Sequence, residues 1–313
     1  MRKIYTYCRE HFRAEFYWPY YLLVSLLLLA LVSAEEYYDV AQKVITQCVQ
    51  THNPLYVFVW MALYGGVYYG TLALYGWFKQ DFAWAKSSTF WWKTGLVILA
   101  LSLYSTSWLH VYVLDWFSVN AERNWIKRVA IITQLNVLFL LPALLFYIRE
   151  RRDYPFLYGI TTKGFDYKMY LPVILMVLVI VGVSASSPHF SSYYPLCKPE
   201  VIERFETIPK WFGIISYESL YASAFFCTEL LFRGLLVVGL SRTLGEKAIL
   251  PMAVLYCTIH FNKPFGETLS SFVGGYVLGI LAARTQNILG GIWVHLTLAM
   301  GMEVLGWVIY YYF

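Results

Sequence analysis

Nine apolar stretches, most of them about 20 residues long, dominate the sequence; they run roughly over 17–34, 54–78, 91–114, 129–148, 169–186, 211–240, 248–262, 268–284 and 288–312. A segment of that length and hydropathy spans a bilayer when it closes all its backbone hydrogen bonds internally, which leaves a helix or a closed barrel. The ten-residue alternation of a membrane barrel is absent. The fold class expected is therefore all-α, a polytopic membrane bundle of eight or nine transmembrane helices, the seventh and eighth stretches being short. Composition agrees. The 313 residues are 59% hydrophobic and 14% charged, against about a quarter charged in soluble domains. The 12 Trp and 28 Tyr gather near span ends, as in interfacial belts.

Lys and Arg set the expected orientation. With a cytoplasmic N-terminus, fifteen of them fall inside and eight outside, and Arg233 stays within the membrane. Arg123, Lys127 and Arg128 weaken the bias locally. The start, MRKIYTYCREHFRAEF, has no small-residue cleavage site, so the first span is expected to be an uncleaved anchor. The compact chain suggests a bacterial inner (plasma) membrane. A net charge of +5 is too modest for a nucleic-acid partner. The expected partners are membrane lipid and a membrane-associated peptide or protein substrate.

The loop 149–168, RERRDYPFLYGITTKGFDYK, is the best internal boundary. It separates a four-span region, 1–150, from a segment, 151–313, that carries most of the unusual polar residues. The pairs Gly66/Gly70 and Gly275/Gly279 suit close helix approach. Five cysteines fit no zinc or redox spacing. Cys227 and Cys257 read as small packing residues, and Cys48 with Cys197 is a disulfide candidate. His110, Asp115 and Glu218 read as interface or polar packing, and Glu35, Glu36 and Asp39 as a solvated acidic face.

Chemistry concentrates late in the chain. FFCTELLFRG, residues 225–234, holds Glu229 and Arg233 in an apolar run; LYCTIHF holds His260; IWVHLTLAMGME holds His295 and Glu303. At a helical rise of about 1.5 Å per residue, Glu229, His260 and His295 lie roughly 16, 18 and 10 Å from the cytoplasmic face. One carboxylate and two imidazoles could hold zinc with an open position for water. Without metal, a carboxylate and His could polarise water while the second His stabilises an oxyanion. Against both stands a simpler arrangement: Glu229 and Arg233 have the spacing of an intrahelical ion pair. Glu267, seven residues after His260 across NKPFG, could fold back toward the site with Lys263. Glu303 is roughly 12 Å along the helix from His295, a supporting position rather than a shared ligand.

The order E-x-x-x-R-G, then Tyr-x-x-x-His, then SSFVGGYVLGILAARTQNILGGIWVH into a last histidine, resembles the CPBP family of CAAX prenyl endopeptidases and bacteriocin-processing intramembrane proteases. The resemblance covers about residues 169–310 and marks a divergent member. It implies a hydrolase that cleaves membrane-proximal or prenylated peptides by an activated water, of metallo- or glutamate-type. Glu229, His260 and His295 would be catalytic, with Arg233 orienting Glu229 and with Glu267 and Glu303 supporting. Two family positions differ. Thr228 stands where the family has its first Glu, the proposed water-activating residue, and Ala299 where it has Asn or a similar polar residue. The alternatives are a catalytically degenerate scaffold or peptide-binding membrane protein, and a transporter relaying protons through Glu229, His260 and Glu303. Paired broken helices in matching halves, the usual transporter signature, are lacking.

Overall fold

A computed structural model describes residues 2–51, 53–106, 121–154, 156–261, 263 and 265–312. His110 and Asp115 lie outside the described residues, as do Asn262 and Pro264 of the NKPFG run. The main helices are α1 (Arg2–Glu15), α2 (Trp18–Tyr38), α3 (Val40–Thr51), α4 (Tyr56–Lys79), α5 (Ser88–Thr106), α6 (Ala121–Glu150), α7 (Tyr167–Ser184), α8 (Lys210–Glu229), α9 (Ile249–Thr258), α10 (Phe265–Thr285) and α11 (Leu289–Tyr312). No strand occurs among the described residues.

The chain is an integral membrane protein. Among the described residues, seven helical stretches are long and apolar enough to cross a membrane: Trp18–Tyr38, Tyr56–Lys79, Glu122–Glu150, Tyr167–Ser184, Lys210–Thr258, Phe265–Thr285 and Leu289–Tyr312. The expected sixth and seventh spans form one stretch. Helical turns of different pitch bridge 230–248 instead of a polar loop, and this stretch is the most buried of the seven. The third expected span is α5, 19 residues, whose Ser, Thr and Lys93 side chains lower its hydropathy below that of the seven.

The chain divides into two compact units, each drawn from separated parts of the sequence. The first comprises Met1–Ser107, Leu138–Thr162 and Leu230–Ile288. Here α9 packs against α10 and α4, α4 against α5, and α1 against α10. Every residue of α9 is buried. Gly275 and Gly279 of α10 permit the approach expected of them: a Cβ at Gly279 would sit 2.8 Å from Met252 Cε, and one at Gly275 3.0 Å from Tyr256 Cδ1. Gly66 and Gly70 behave differently. Nothing lies within 4 Å of a Cβ built on either; they line an apolar groove of about 850 Å³ between α2 and α4. The N-terminal helix is pinned by His11, which is buried and bonds Glu246 Oε2 at 2.6 Å and the Tyr276 hydroxyl at 2.8 Å.

The second unit comprises the described part of Trp108–Val137, with Lys163–Glu229 and Leu289–Phe313. In it α11 packs against α7 and α8. A Cβ at Gly290 would fall 1.9 Å from Tyr170 Cζ, so only glycine lets α11 meet α7 there. Trp125, Cys197, Ile202, Phe205 and Tyr217 form a core cluster. Glu122 ties the entry of α8 by accepting the N–H groups of Glu206, Thr207 and Ile208 at 3.0, 2.7 and 3.3 Å.

All five cysteines are free thiols, so the Cys48–Cys197 disulfide does not form. Both side chains are packed away. Cys48 donates its S–H to Thr106 O at 3.2 Å, and Cys197 sits in the core cluster, where burial pushes its thiol up to about 12.

Candidate active site

Glu229 is the last residue of α8 and His295 lies in the second turn of α11, two helices of the same unit. The structure brings these two expected site residues together, with His295 Nδ1 3.0 Å from Glu229 Oε1. With Glu229 ionised, Nδ1–H is the donor and the neutral ring carries its lone pair on Nε2. Glu229 is fully buried, whereas His295 keeps 13% of its side chain exposed. The Phe225 ring, one turn before Glu229, meets the imidazole edge-on at 4.6 Å. Gly291 makes room for the carboxylate, since a Cβ there would lie 2.5 Å from Glu229 Oε2.

The positions that depart from the family pattern are packed as core. The Thr228 hydroxyl donates back to Ala224 O at 2.8 Å within its own helix. Ala299 is 1% exposed.

Immediately after Glu229 the backbone leaves α geometry. Residues Leu230–Leu235 form a π-helical turn, with Leu236 N–H donating to Leu231 O five residues back at 3.2 Å. The i, i+4 rule for an ion pair presupposes a continuous α-helix; from Glu229 to Arg233 the chain passes from α8 into the π turn. Arg233 is 1% exposed and stacks its guanidinium 4.2 Å above the Tyr256 ring, a contact that offsets part of the cost of burying the charge. The same ring meets Phe232 edge-on at 5.0 Å and His260 at 4.7 Å. His260 Nδ1 donates to Tyr256 O at 2.8 Å, so its neutral ring also carries the lone pair on Nε2. Tyr256 thus holds both Arg233 and His260 in the first unit, a role that motif spacing does not reveal.

Glu267 pairs with Lys263 at 3.6 Å, and both are 36% exposed. Lys263, Phe261 and Thr268 line a small pocket of about 250 Å³ with Glu35, Glu36 and Asp39. Glu303 is buried, and its two oxygens accept Leu196 N–H at 3.1 and 3.0 Å. Glu218 Oε1 accepts Trp307 Nε1–H at 3.3 Å. No group of three or more His, Cys, Asp or Glu side chains among the described residues is arranged to hold a metal ion. Glu229 and His295 bond directly to each other.

Fold and site together describe a helical membrane protein with a buried carboxylate–imidazole pair. Residues 210–300 are similar to the family model Rce1-like, type II CAAX prenyl endopeptidase. That segment, which carries Glu229, Arg233, His260 and His295, is what the chain shares with the Rce1-like family. No curated protein and no solved structure matches the chain.

Proposed function

We propose that the chain is an intramembrane peptidase in which His295, held by Glu229, activates the attacking water. The observation that carries the reading is the 3.0 Å bond between Glu229 and His295 inside the Rce1-like segment. A carboxylate on Nδ1 fixes the ring and its tautomer and stabilises the imidazolium formed when Nε2 accepts a proton. Nε2 would take that proton from water as the oxygen attacks a peptide carbonyl, then return it to the leaving amine. Glu229 thereby fills the place left by Thr228, acting through the ring. The resemblance assigns His260 to the same reaction, and Arg233 keeps a supporting part through Tyr256. The expected substrate is a membrane-proximal or prenylated peptide.

The test is proteolysis of membrane-tethered peptides by the purified protein in lipid. His295→Ala and His260→Ala should each abolish cleavage while the protein stays folded; retained cleavage in His295→Ala would exclude the mechanism. Addition of a chelator should leave the rate unchanged.

A second reading is favoured by Thr228 and Ala299, which are satisfied as core residues. It makes the chain a degenerate relative that binds membrane peptides without cutting them. Peptide binding that survives in a parent protein with no turnover would support it.

A further inference from the structure

Tyr158 is a large residue in a conformation such residues rarely adopt. Its φ and ψ are 42° and 48°, and Gly159 follows with φ 95°. A bulky non-glycine residue in this region marks a place where the surroundings override local preference, and such places gather at functional and switching segments. Here the surroundings are specific. The side chain is fully buried. A Cβ at Gly239 would lie 3.1 Å from the Tyr158 ring, and one at Gly234 would lie 3.4 Å from Tyr158 Cβ. The two glycines thus leave the space into which Tyr158 fits, one inside the π turn and one just beyond it.

The wedge is latched from both sides. The Tyr158 hydroxyl donates to Glu150 Oε2 at 2.8 Å, and the same oxygen takes Lys93 Nζ at 2.5 Å. Lys93, 2% exposed, also donates to Gly239 O at 2.6 Å. Its ammonium lies over the Tyr154 and Tyr158 rings, 5.4 Å from each centroid. On its other side the loop is stitched to the connection between α10 and α11. Gly159 O accepts Ile288 N–H at 3.0 Å, and Thr161 O accepts from Asn287 Nδ2 at 2.6 Å. All these residues belong to the first unit. One wedge therefore grips the turn that begins right after Glu229 and also the residues right before α11, which carries His295.

We propose that Tyr158, latched by Glu150 and Lys93, is a positioning residue that fixes two first-unit segments, the π turn that follows Glu229 and residues 286–288 that precede α11. A π turn is an irregular element with no strong preference of its own, so an external template supplies what the turn lacks. The catalytic consequence rests on the peptidase reading; the conformational claim does not.

The experiment compares the full-length protein in lipid nanodiscs with Tyr158→Phe, Lys93→Met and the double variant. It reads amide hydrogen exchange by segment alongside kcat and KM on a tethered peptide. Tyr158→Phe keeps the ring and removes only the bond to Glu150, so the fold is retained. The expected result is exchange about tenfold faster over 230–240 and 286–288, as for one lost bond to a charged group, with α7 unchanged. In the same variant kcat should fall while KM holds. Because both donors meet at Glu150 Oε2, the double variant should exceed either single one by much less than the sum of the two effects. Exchange that is unchanged at 230–240, or that rises uniformly through the protein, would overturn the proposal. If the parent shows no turnover, the peptidase reading fails, and the exchange pattern alone decides the fate of the latch.

Discussion

Two buried glutamates in the second unit, Glu229 and Glu303, face α8–α11 chemistry in opposite ways. Both have almost no exposed surface. Glu229 meets an imidazole; Glu303 meets a backbone N–H and faces the Glu218 carboxyl. A backbone amide can satisfy a carboxylate but cannot exchange a proton with it, whereas an imidazole does both near neutral pH. Burial alone therefore does not distinguish a working carboxylate from a structural one. Under the proposed mechanism the imidazole partner makes the Glu229 end of the helix pair the reactive one, and the Glu303 end holds the chain at Leu196.

The largest expected effect breaks the reactive end. His295→Ala should lower cleavage by roughly 10²–10⁴-fold, the usual contribution of a positioned acid–base group, and should also lower thermal stability, since it takes the imidazole from the buried Glu229 carboxylate. Gly291→Ala comes next. A methyl 2.5 Å from Glu229 Oε2 must push the carboxylate or the helix aside. Overpacking of this kind costs about 1–3 kcal/mol, and activity should fall with it. Gly301→Ala on the same helix is the control. Its new Cβ would meet Val181 at an ordinary 3.5 Å, and a chemical melt should find it neutral or slightly stabilised.

The Glu303 end should answer in stability and not in rate. Glu303→Ala leaves Leu196 N–H without its acceptor, and denaturant melts should report a loss of about 1–3 kcal/mol. Glu303→Gln retains a carbonyl oxygen and should cost less, with cleavage close to that of the parent. The smallest effect lies outside both ends. The Lys247 ammonium beside Asp81 holds that carboxyl below the usual carboxylate range. A depressed folded pKa contributes stability above the unfolded value near ~4 and loses it as pH falls through the folded one. Asp81→Asn should therefore flatten the acid limb of a stability–pH profile slightly and leave neutral pH almost unchanged.

Much of this contrast could be read before any coordinates. Hydropathy marks an all-helical membrane protein, and depth along the spans places Glu229, His260 and His295 in the same half of the membrane, of which the structure pairs Glu229 with His295. Motif order leads to the Rce1-like segment. What could not be read depends on geometry that spacing rules assume away. The i, i+4 spacing of Glu229 and Arg233 carries no sign of the π turn that begins between them. Tyr158 sits in a basic loop that looks like a boundary, because neither its left-handed backbone nor the notch left by Gly234 and Gly239 has a compositional signature. Gly66 and Gly70 carry the same small-residue pattern as Gly275 and Gly279. Only the partner helix shows that one pair closes a contact and the other borders a groove. Sequence offers Cys48 and Cys197 as a disulfide candidate, and only their packing shows both as buried free thiols.

The most direct test of the central claim is a cleavage assay on a membrane-tethered peptide library, run in lipid on the parent, His295→Ala and Glu303→Gln side by side. Cutting by the parent and Glu303→Gln at similar rates, with none by a folded His295→Ala, is the predicted result. Equal cutting by all three proteins, or cutting lost in Glu303→Gln but kept in His295→Ala, would contradict the assignment of the reactive end.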